Sequence, residues 1–183
     1  MIVVQINFLI GIIDVMSARE AQKKRKAKRV RGRPGQAVLR KLRDCANKMK
    51  MPQNVLNKIY LLEAEQLVLR GDKDNALWKF RASSKFAREM SVIHEEALAY
   101  ERAAIALDEW GEEAEAMASI KKAMALYKKW GSPGKVTQLE KLPFVTRCNS
   151  ATFAGSPCQI ERGQTASQML SPDNVIVPHV TSN

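Results

Sequence analysis

The fold is decided by two similar stretches of sequence, YLLEAEQLVLRGDKDNA at residues 60–76 and YERAAIALDEWGEEAEA at residues 100–116. They superimpose at a shift of 40 residues. The identical pairs are Tyr60 and Tyr100, Ala64 and Ala104, Leu67 and Leu107, Gly71 and Gly111, and Ala76 and Ala116. A fixed period of this length indicates a protein built from repeated helical units.

Each stretch predicts an antiparallel pair of helices. The tyrosine, alanine and leucine follow one another at spacings of four and three residues, which places them on one face of a helix. Gly71 and Gly111 are expected to end the first helix, because glycine readily adopts the left-handed conformation of a C-terminal cap. Asp72 is a predicted cap of the second helix. Ala76 and Ala116 are small enough to let the two backbones approach closely.

The order of aromatic, small, apolar, glycine and alanine positions resembles the tetratricopeptide repeat. That family repeats at about 34 residues, so the period of 40 implies longer second helices. Trp130 and Gly131 are expected to stop the second unit, with Ser132 capping a further helix at Lys135 to Leu142 and Pro133 at its first position. The predicted fold is all-α, with antiparallel helical hairpins stacked as a short tetratricopeptide-like solenoid.

Four segments are predicted along the chain. Residues 1–18 form an apolar N-terminal helix, residues 19–35 a basic linker, and residues 36–142 the helical repeat domain. Residues 143–183 are predicted to be a disordered tail, because they are rich in Ser, Thr, Pro, Gly and Asn and lack a helical period. Two complete units need caps at their ends, and the apolar helix and an amphipathic helix at Gln36 to Met49 are the candidates.

The first sixteen residues, MIVVQINFLIGIIDVM, are expected to form a buried helix. A secretory signal carries positive charge before its apolar run, whereas here the basic residues follow it. A spanning helix needs roughly 20 apolar residues, and Asp14 interrupts this shorter run. A targeting segment or membrane anchor and an unstructured chain start are the alternatives.

The formal net charge of +11 is concentrated in the run from Arg19 to Arg33. Such a run can act as a nuclear import signal or nucleic-acid contact, as a patch beside an anionic membrane, or as a solvated loop. All three interpretations stay open at the level of sequence. The candidate contacts for a polyanion or an import receptor are Lys23, Lys24, Arg25, Lys26, Lys28, Arg29, Arg31 and Arg33.

No catalytic residue, cofactor or metal site is predicted. The three cysteines form no CxxC pair, which favours free thiols in a reducing compartment. His94 and His179 lie far apart without metal-ligand spacing. The acidic residues of the helices are expected to serve solubility and the helix dipole rather than acid–base chemistry. Those singled out are Glu63, Glu65, Glu112, Glu113 and Glu115.

A longer resemblance covers Leu39 to Leu142. The phrases LRKLRDCANKM, KIYLLEAE, ALAYERAA and AMALYKKWGSPGKVTQLEKL resemble the helical region that follows the P-loop ATPase module in large signalling proteins. Those proteins combine a serine/threonine-kinase-like domain, that ATPase, a GAF domain and a histidine kinase. The present sequence contains no GxxxxGK motif followed by Ser or Thr and no kinase signature. The resemblance therefore implies a fragment-like helical connector.

Together these observations predict a noncatalytic helical-repeat module for protein–protein interaction or domain spacing in a signalling protein, and not an enzyme. Its partner is expected to be a protein, and a membrane is not expected. One alternative is a basic nuclear or nucleic-acid-binding protein that acts through the Arg19 to Arg33 run. Another is a remnant of a signalling ATPase and histidine kinase. A cytoplasmic location is expected, with the nucleus as the alternative.

Overall fold

The computed structural model describes residues 2–24, 34–49 and 52–153, with side chains described as far as residue 148. Every regular element in these ranges is an α-helix, and successive helices pack as antiparallel neighbours. The eight helices are α1 (Ile2–Lys24), α2 (Gln36–Lys48), α3 (Gln53–Arg70), α4 (Lys73–Glu89), α5 (Ile93–Glu109), α6 (Glu113–Trp130), α7 (Pro133–Glu140) and α8 (Pro143–Phe153). The prediction of an all-α protein is confirmed for this part of the chain.

The predicted turn residues end and begin the helices of the first unit. Gly71 ends α3 with a φ of 78°, and Gly111 has a φ of 79° in the turn after α5. The side chain of Asp72 caps α4 by accepting a hydrogen bond from the backbone N–H of Asn75 at 3.3 Å. The left-handed glycines therefore sit where the repeat predicts the turns.

The turn between α6 and α7 differs from its prediction. Pro133 lies in the first turn of α7, as expected, but the side chain of Ser132 makes no cap hydrogen bond. The turn is closed by the backbone, because Gly131 N–H donates to the Lys128 carbonyl at 3.1 Å and Ser132 N–H to the Tyr127 carbonyl at 2.9 Å. The short helix predicted at Lys135 to Leu142 is present two residues earlier, at Pro133–Glu140.

The two repeated units are helical hairpins, α3 with α4 and α5 with α6. Their alanines Ala64, Ala76, Ala104 and Ala116 are fully buried, so the shift of 40 residues relates structurally equivalent positions. The first helices α3 and α5 have 18 and 17 residues, and the second helices α4 and α6 have 17 and 18. Both helices of each unit are therefore long, and together they account for a period longer than the 34 residues of the tetratricopeptide repeat.

Helix α1 packs on α2 and α3 at the beginning of the stack. Its inward residues include Phe8 and Val15, which are buried in the same cluster as the side chains of α2 and α3. A Cβ atom at Gly11 would lie 2.8 Å from Leu62 Cδ2 and 2.9 Å from Val38 Cγ1. The absence of a side chain at Gly11 therefore lets α1 approach the next two helices closely.

The structure places two helix boundaries differently from the predicted segments. Helix α1 continues to Lys24, six residues into the segment predicted as a basic linker. Helix α8 occupies the first eleven residues of the predicted tail. It forms because Phe144 and Val145 are buried with Leu139 and residues of α5 and α6, a packing that the polar composition of the segment conceals. Residues 154–183 lie outside the described part of the chain.

Candidate binding groove and the charges around it

The most buried charged residue is Glu65 in α3, whose side chain is fully inaccessible to solvent. Arg102 of α5 approaches it with two hydrogen bonds, from Nε to Oε1 at 2.6 Å and from Nη2 to Oε2 at 3.1 Å. Arg19 of α1 donates from Nη1 to Oε2 at 2.5 Å. One carboxylate thus joins three helices, α1, α3 and α5.

Two further buried carboxylates continue this arrangement. Glu95 accepts a hydrogen bond from Lys58 Nζ at 2.6 Å and so links α5 back to α3. Glu101 accepts from Lys135 Nζ at 2.8 Å and links α5 to α7, while the Tyr127 hydroxyl of α6 donates to its other oxygen at 2.8 Å. We call the set formed by Glu65, Glu95, Glu101 and their basic partners the ion ladder. It connects all four odd-numbered helices.

The ion ladder corrects the expectation for the acidic residues. Glu65 was predicted to serve solubility or the helix dipole, but it is buried and neutralised by two arginines. Glu63 also pairs with basic side chains, Arg43 at 2.5 Å and Lys79 at 2.6 Å. The reason is that both residues lie on faces of α3 covered by neighbouring helices, which the sequence of α3 alone does not reveal.

Several pKa values follow from these contacts. Burial alone would lower the pKa of Arg102, but its interactions with Glu65 outweigh burial and raise it. Burial, with Glu101 adding to its effect, raises the pKa of the Tyr127 hydroxyl well above its ordinary value. Burial alone would raise the pKa of Glu109, but hydrogen bonds from Lys23 and Arg19 lower it. Arg102 is therefore charged and the Tyr127 hydroxyl is neutral at ordinary pH.

A groove runs between α4 and α6 with α5 as its floor. It encloses about 350 Å³, which is within the usual range for ligand pockets. Its apolar lining is contributed mainly by Leu77 and Phe80 of α4 and by Ala99, Ala103 and Leu107 of α5. The small side chains of Ala99 and Ala103 leave space above α5, and the equivalent positions of the first unit hold the larger Ile59 and Glu63.

Charged side chains stand at the rim of the groove. At the beginning of α4 and α6, Lys73 forms an ion pair with Glu112. About two turns further along, Arg81 and Lys122 also line the groove. Lys122 Nζ lies 5.5 Å from the centre of the Tyr100 ring, and the guanidinium of Arg81 is exposed and makes no ion pair with any described residue. This end of the groove is therefore positively charged.

The basic run is only partly covered by the described residues. Lys23 lies at the end of α1 and pairs with Glu109 at 2.8 Å and with Glu20 at 3.5 Å, while Lys24 is exposed. Arg19, the first residue of the predicted run, is buried in the ion ladder and is not available to a polyanion. The other candidate contacts, Arg25, Lys26, Lys28, Arg29, Arg31 and Arg33, lie outside the described residues.

Helix α1 is buried on one face only. Val4, Phe8 and Val15 point into the core, whereas most of its other large aliphatic side chains are exposed. The expectation of a buried helix therefore applies to half of its surface. Among the described residues, α1 is the one helix that is long and apolar enough to cross a membrane, judged by length and composition alone.

The described residues define an all-α protein of sequential antiparallel helices, with an apolar groove on one side and, at its beginning, a helix whose outer face is apolar and exposed. No protein-family model, curated protein or solved structure matches the chain. Sequence reasoning missed the ion ladder and the groove. The available signal was the presence of Glu65 and Arg102 next to the alanines that mark the packed face of each repeat.

Proposed function

We propose that this chain is a noncatalytic helical-repeat module that binds a protein partner, or spaces domains, in a signalling protein. Its hairpins are of the tetratricopeptide type, stacked as a short solenoid with α1 and α2 before the first complete unit. The observation that carries the proposal is the apolar groove between α4 and α6. Grooves between stacked helices are the binding surfaces of such arrays.

The distribution of titratable groups supports a binding role over a catalytic one. The buried carboxylates Glu65, Glu95 and Glu101 are each engaged by basic side chains of other helices. They serve to join helices. The charged groups of the groove stand at its rim, where Lys73 and Glu112 form an ion pair and Glu115 is exposed one turn beyond Glu112. Arg81 and Lys122 lie towards its other end. This arrangement supports recognition of a surface rather than proton transfer in an enclosed site.

The chemistry of the groove indicates what kind of protein segment it takes. The apolar floor at Phe80 and Ala103 suits one or two aliphatic or aromatic side chains. Arg81 and Lys122 at one end suit an acidic side chain, since a charged hydrogen bond is stronger than a neutral one. The proposed partner segment therefore combines apolar residues with an adjacent acidic residue.

Peptide-display selection against the full chain tests this function. Selected peptides are expected to combine apolar and acidic residues and to bind in the groove. Ala118→Trp places a bulky ring on the lining of the groove, and Arg81→Glu reverses its charge, so both should weaken peptide binding about tenfold or more.

The matched control variants are Ala125→Trp and Lys129→Glu, which make comparable changes at exposed positions of α6 that do not line the groove. They should leave binding unchanged. Selection of no peptide, or equal losses in the groove and control variants, would contradict the proposed binding surface.

The alternative of polyanion binding is favoured by one observation, the exposure of Lys24 at the end of α1, where the basic sequence begins. Its partner would be nucleic acid or an acidic import receptor. Changing all eight candidate residues from Lys23 to Arg33 to Gln tests it. Unchanged affinity for nucleic acid and unchanged cellular location would exclude this function. A further alternative, a remnant of a signalling ATPase, requires measurable ATP binding by the chain.

A further inference from the structure

The outer face of α1 forms a continuous apolar stripe over about its first three turns. These side chains recur at spacings of three, four and seven residues, so they lie on one side of the helix. The stripe consists of Ile2, Val3, Ile6, Leu9, Ile10 and Ile13, which are between 47% and 77% exposed. Contiguous exposed apolar surface of this kind marks an interaction site.

The same outer face becomes polar and then basic towards the end of α1. Met16, which is still apolar and exposed, follows Ile13 on this side of the helix, and Ser17, Ala21 and Lys24 come after it. Glu20, an acidic side chain on this face, already lies 3.5 Å from Lys23. The residues that follow in the sequence are again mostly basic, and the chain as a whole carries a net charge of +11. The occupant of this face must therefore be apolar along the stripe and anionic at its end.

A second copy of the chain satisfies the first requirement but not the second. In a parallel pair of α1 helices, the two ends that carry Lys24 would come together. In an antiparallel pair, each Lys24 would lie near the beginning of the partner helix, where the helix dipole is positive. Both arrangements bring positive charge next to positive charge, so self-association leaves the basic end without a favourable partner.

We propose that the outer face of α1 binds the surface of a membrane that contains anionic phospholipids. The apolar stripe would enter the boundary between headgroups and acyl chains to a depth of about 5–10 Å, and Lys24 would contact anionic headgroups. For a helix at a membrane surface, the buried apolar area and the attraction of basic side chains to anionic lipid both contribute to binding.

Helix α1 binds the membrane without leaving the helical stack. Its inner face stays attached through Phe8 and Val15, and Arg19 remains bonded to Glu65. The carboxylate of Asp14 also accepts a hydrogen bond from the backbone N–H of Gly35 at 2.6 Å. The helix therefore lies in the plane of the membrane surface rather than crossing it.

The composition of the stripe favours lipid over an acidic helix of another protein. Protein interfaces concentrate their binding energy in Trp, Tyr and Arg, whereas Leu and Val are under-represented among the energetically important residues. The stripe contains aliphatic residues alone. From the sequence, α1 was expected to be buried and a membrane partner was not expected, but the outer face of α1 is exposed. Membrane binding goes beyond the proposed function and would leave the groove free for its protein partner.

Flotation of the full chain with lipid vesicles tests the proposal. We expect binding to vesicles of phosphatidylcholine mixed with phosphatidylserine, and little binding to phosphatidylcholine alone or at high salt. Replacing Ile6 and Ile10 by Asn should weaken binding at least about tenfold, because each side chain loses its transfer into the apolar region. Circular dichroism checks that the double variant keeps its helices.

Two single-residue variants test the same face. Lys24→Glu should weaken binding to the mixed vesicles about tenfold, whereas Lys129→Glu on α6, with the same change of net charge, should have little effect. Ser17→Leu extends the stripe and should strengthen binding about tenfold, a gain that loss of folding cannot produce.

Three results would overturn the proposal. One is the absence of binding to anionic vesicles. The second is binding that the change of Ile6 and Ile10 leaves unaltered. The third is a stable dimer in analytical ultracentrifugation that the same change dissociates, which would assign the stripe to a second copy. If no peptide binds in the groove of the unaltered chain but the chain still binds anionic vesicles, the proposed function is contradicted and the membrane proposal is not.

Discussion

The hairpin α5–α6 and the attachment of α1 hold helices together in different ways. In the hairpin, Ala104, Ala116 and Ala123 are fully buried, and Ile120 fills the space beside them. These contacts join residues that are close in sequence. The attachment of α1 depends on residues far apart in sequence, because Arg19 reaches Glu65 across 46 residues and Glu109 across 90.

This difference shows how each region responds to change. Alanine packing is local, apolar and repeated, so hairpins of this kind recur along the stack with a fixed period. The attachment of α1 combines an apolar face with the buried ion pairs of Glu65 with Arg19 and Arg102. Removing one of these charges leaves the others buried without a partner, which destabilises the fold. The alanine packing of the hairpins is therefore expected to tolerate the loss of charged groups, whereas the attachment of α1 is expected to depend on its charged groups.

The largest effect is predicted for Glu65→Gln. The substitution removes the one carboxylate between Arg19 and Arg102 and leaves two buried guanidinium groups without full compensation. We expect a loss of about 3–5 kcal/mol in the free energy of unfolding, measured by urea denaturation. Glu115→Gln on the exposed face of α6 is the matched control and should change stability by less than about 0.5 kcal/mol.

Replacing the three charges together sharpens this prediction. A variant with Met at Glu65, Arg19 and Arg102 should recover most of the lost stability, because apolar side chains of similar size avoid the cost of unpaired buried charge. A triple variant as unstable as Glu65→Gln would contradict this explanation. The loss would then belong to packing rather than to charge.

A smaller effect is predicted for Ala116→Leu in the hairpin. The added side chain has no space where α5 and α6 approach, so we expect a loss of about 1–3 kcal/mol, measured by thermal and urea unfolding. Ala114→Leu adds the same atoms at an exposed position of α6. An equal effect of both variants would show that close approach at Ala116 is unimportant.

The hairpins could be predicted from sequence because their determinants are local. Gly71 and Asp72 act on neighbouring backbone groups, and the alanines repeat at a fixed shift. The helix at Gln36 was likewise visible in the spacing of its apolar residues, and the structure confirms it as α2 to within one residue. Local turn chemistry and periodicity thus determine most of the secondary structure in the described residues.

The candidate groove and the ion ladder could not be predicted because their determinants are distant in sequence. Glu65 and Arg102 meet only after α3 and α5 pack, 37 residues apart along the chain. The groove needs the relative placement of α4 and α6, which do not follow one another directly. The helix at Pro143 has a polar composition, and only its packing through Phe144 and Val145 reveals it. Tertiary packing decides these features.

The smallest effect on stability is predicted for Glu109, which pairs with Arg19 and Lys23 of α1. Hydrogen bonds from Lys23 and Arg19 hold its pKa below the ordinary value despite burial. A lowered pKa means that the folded state favours the carboxylate. Its contribution to stability is therefore fully present above the unfolded-state pKa of 4.5 and is lost as the pH falls through the folded-state value.

Glu109→Gln should accordingly cost about 1 kcal/mol at neutral pH and progressively less below pH 4.5. Urea denaturation of both proteins across this range measures the difference, with Glu115→Gln as a control that leaves the profile unchanged. A constant difference at all pH values would assign the role of Glu109 to packing. A stability difference that disappears in acid would show that ion pairs with Glu109 stabilise the packing of the C-terminal part of α1. The apolar contacts of its inner face do not depend on pH.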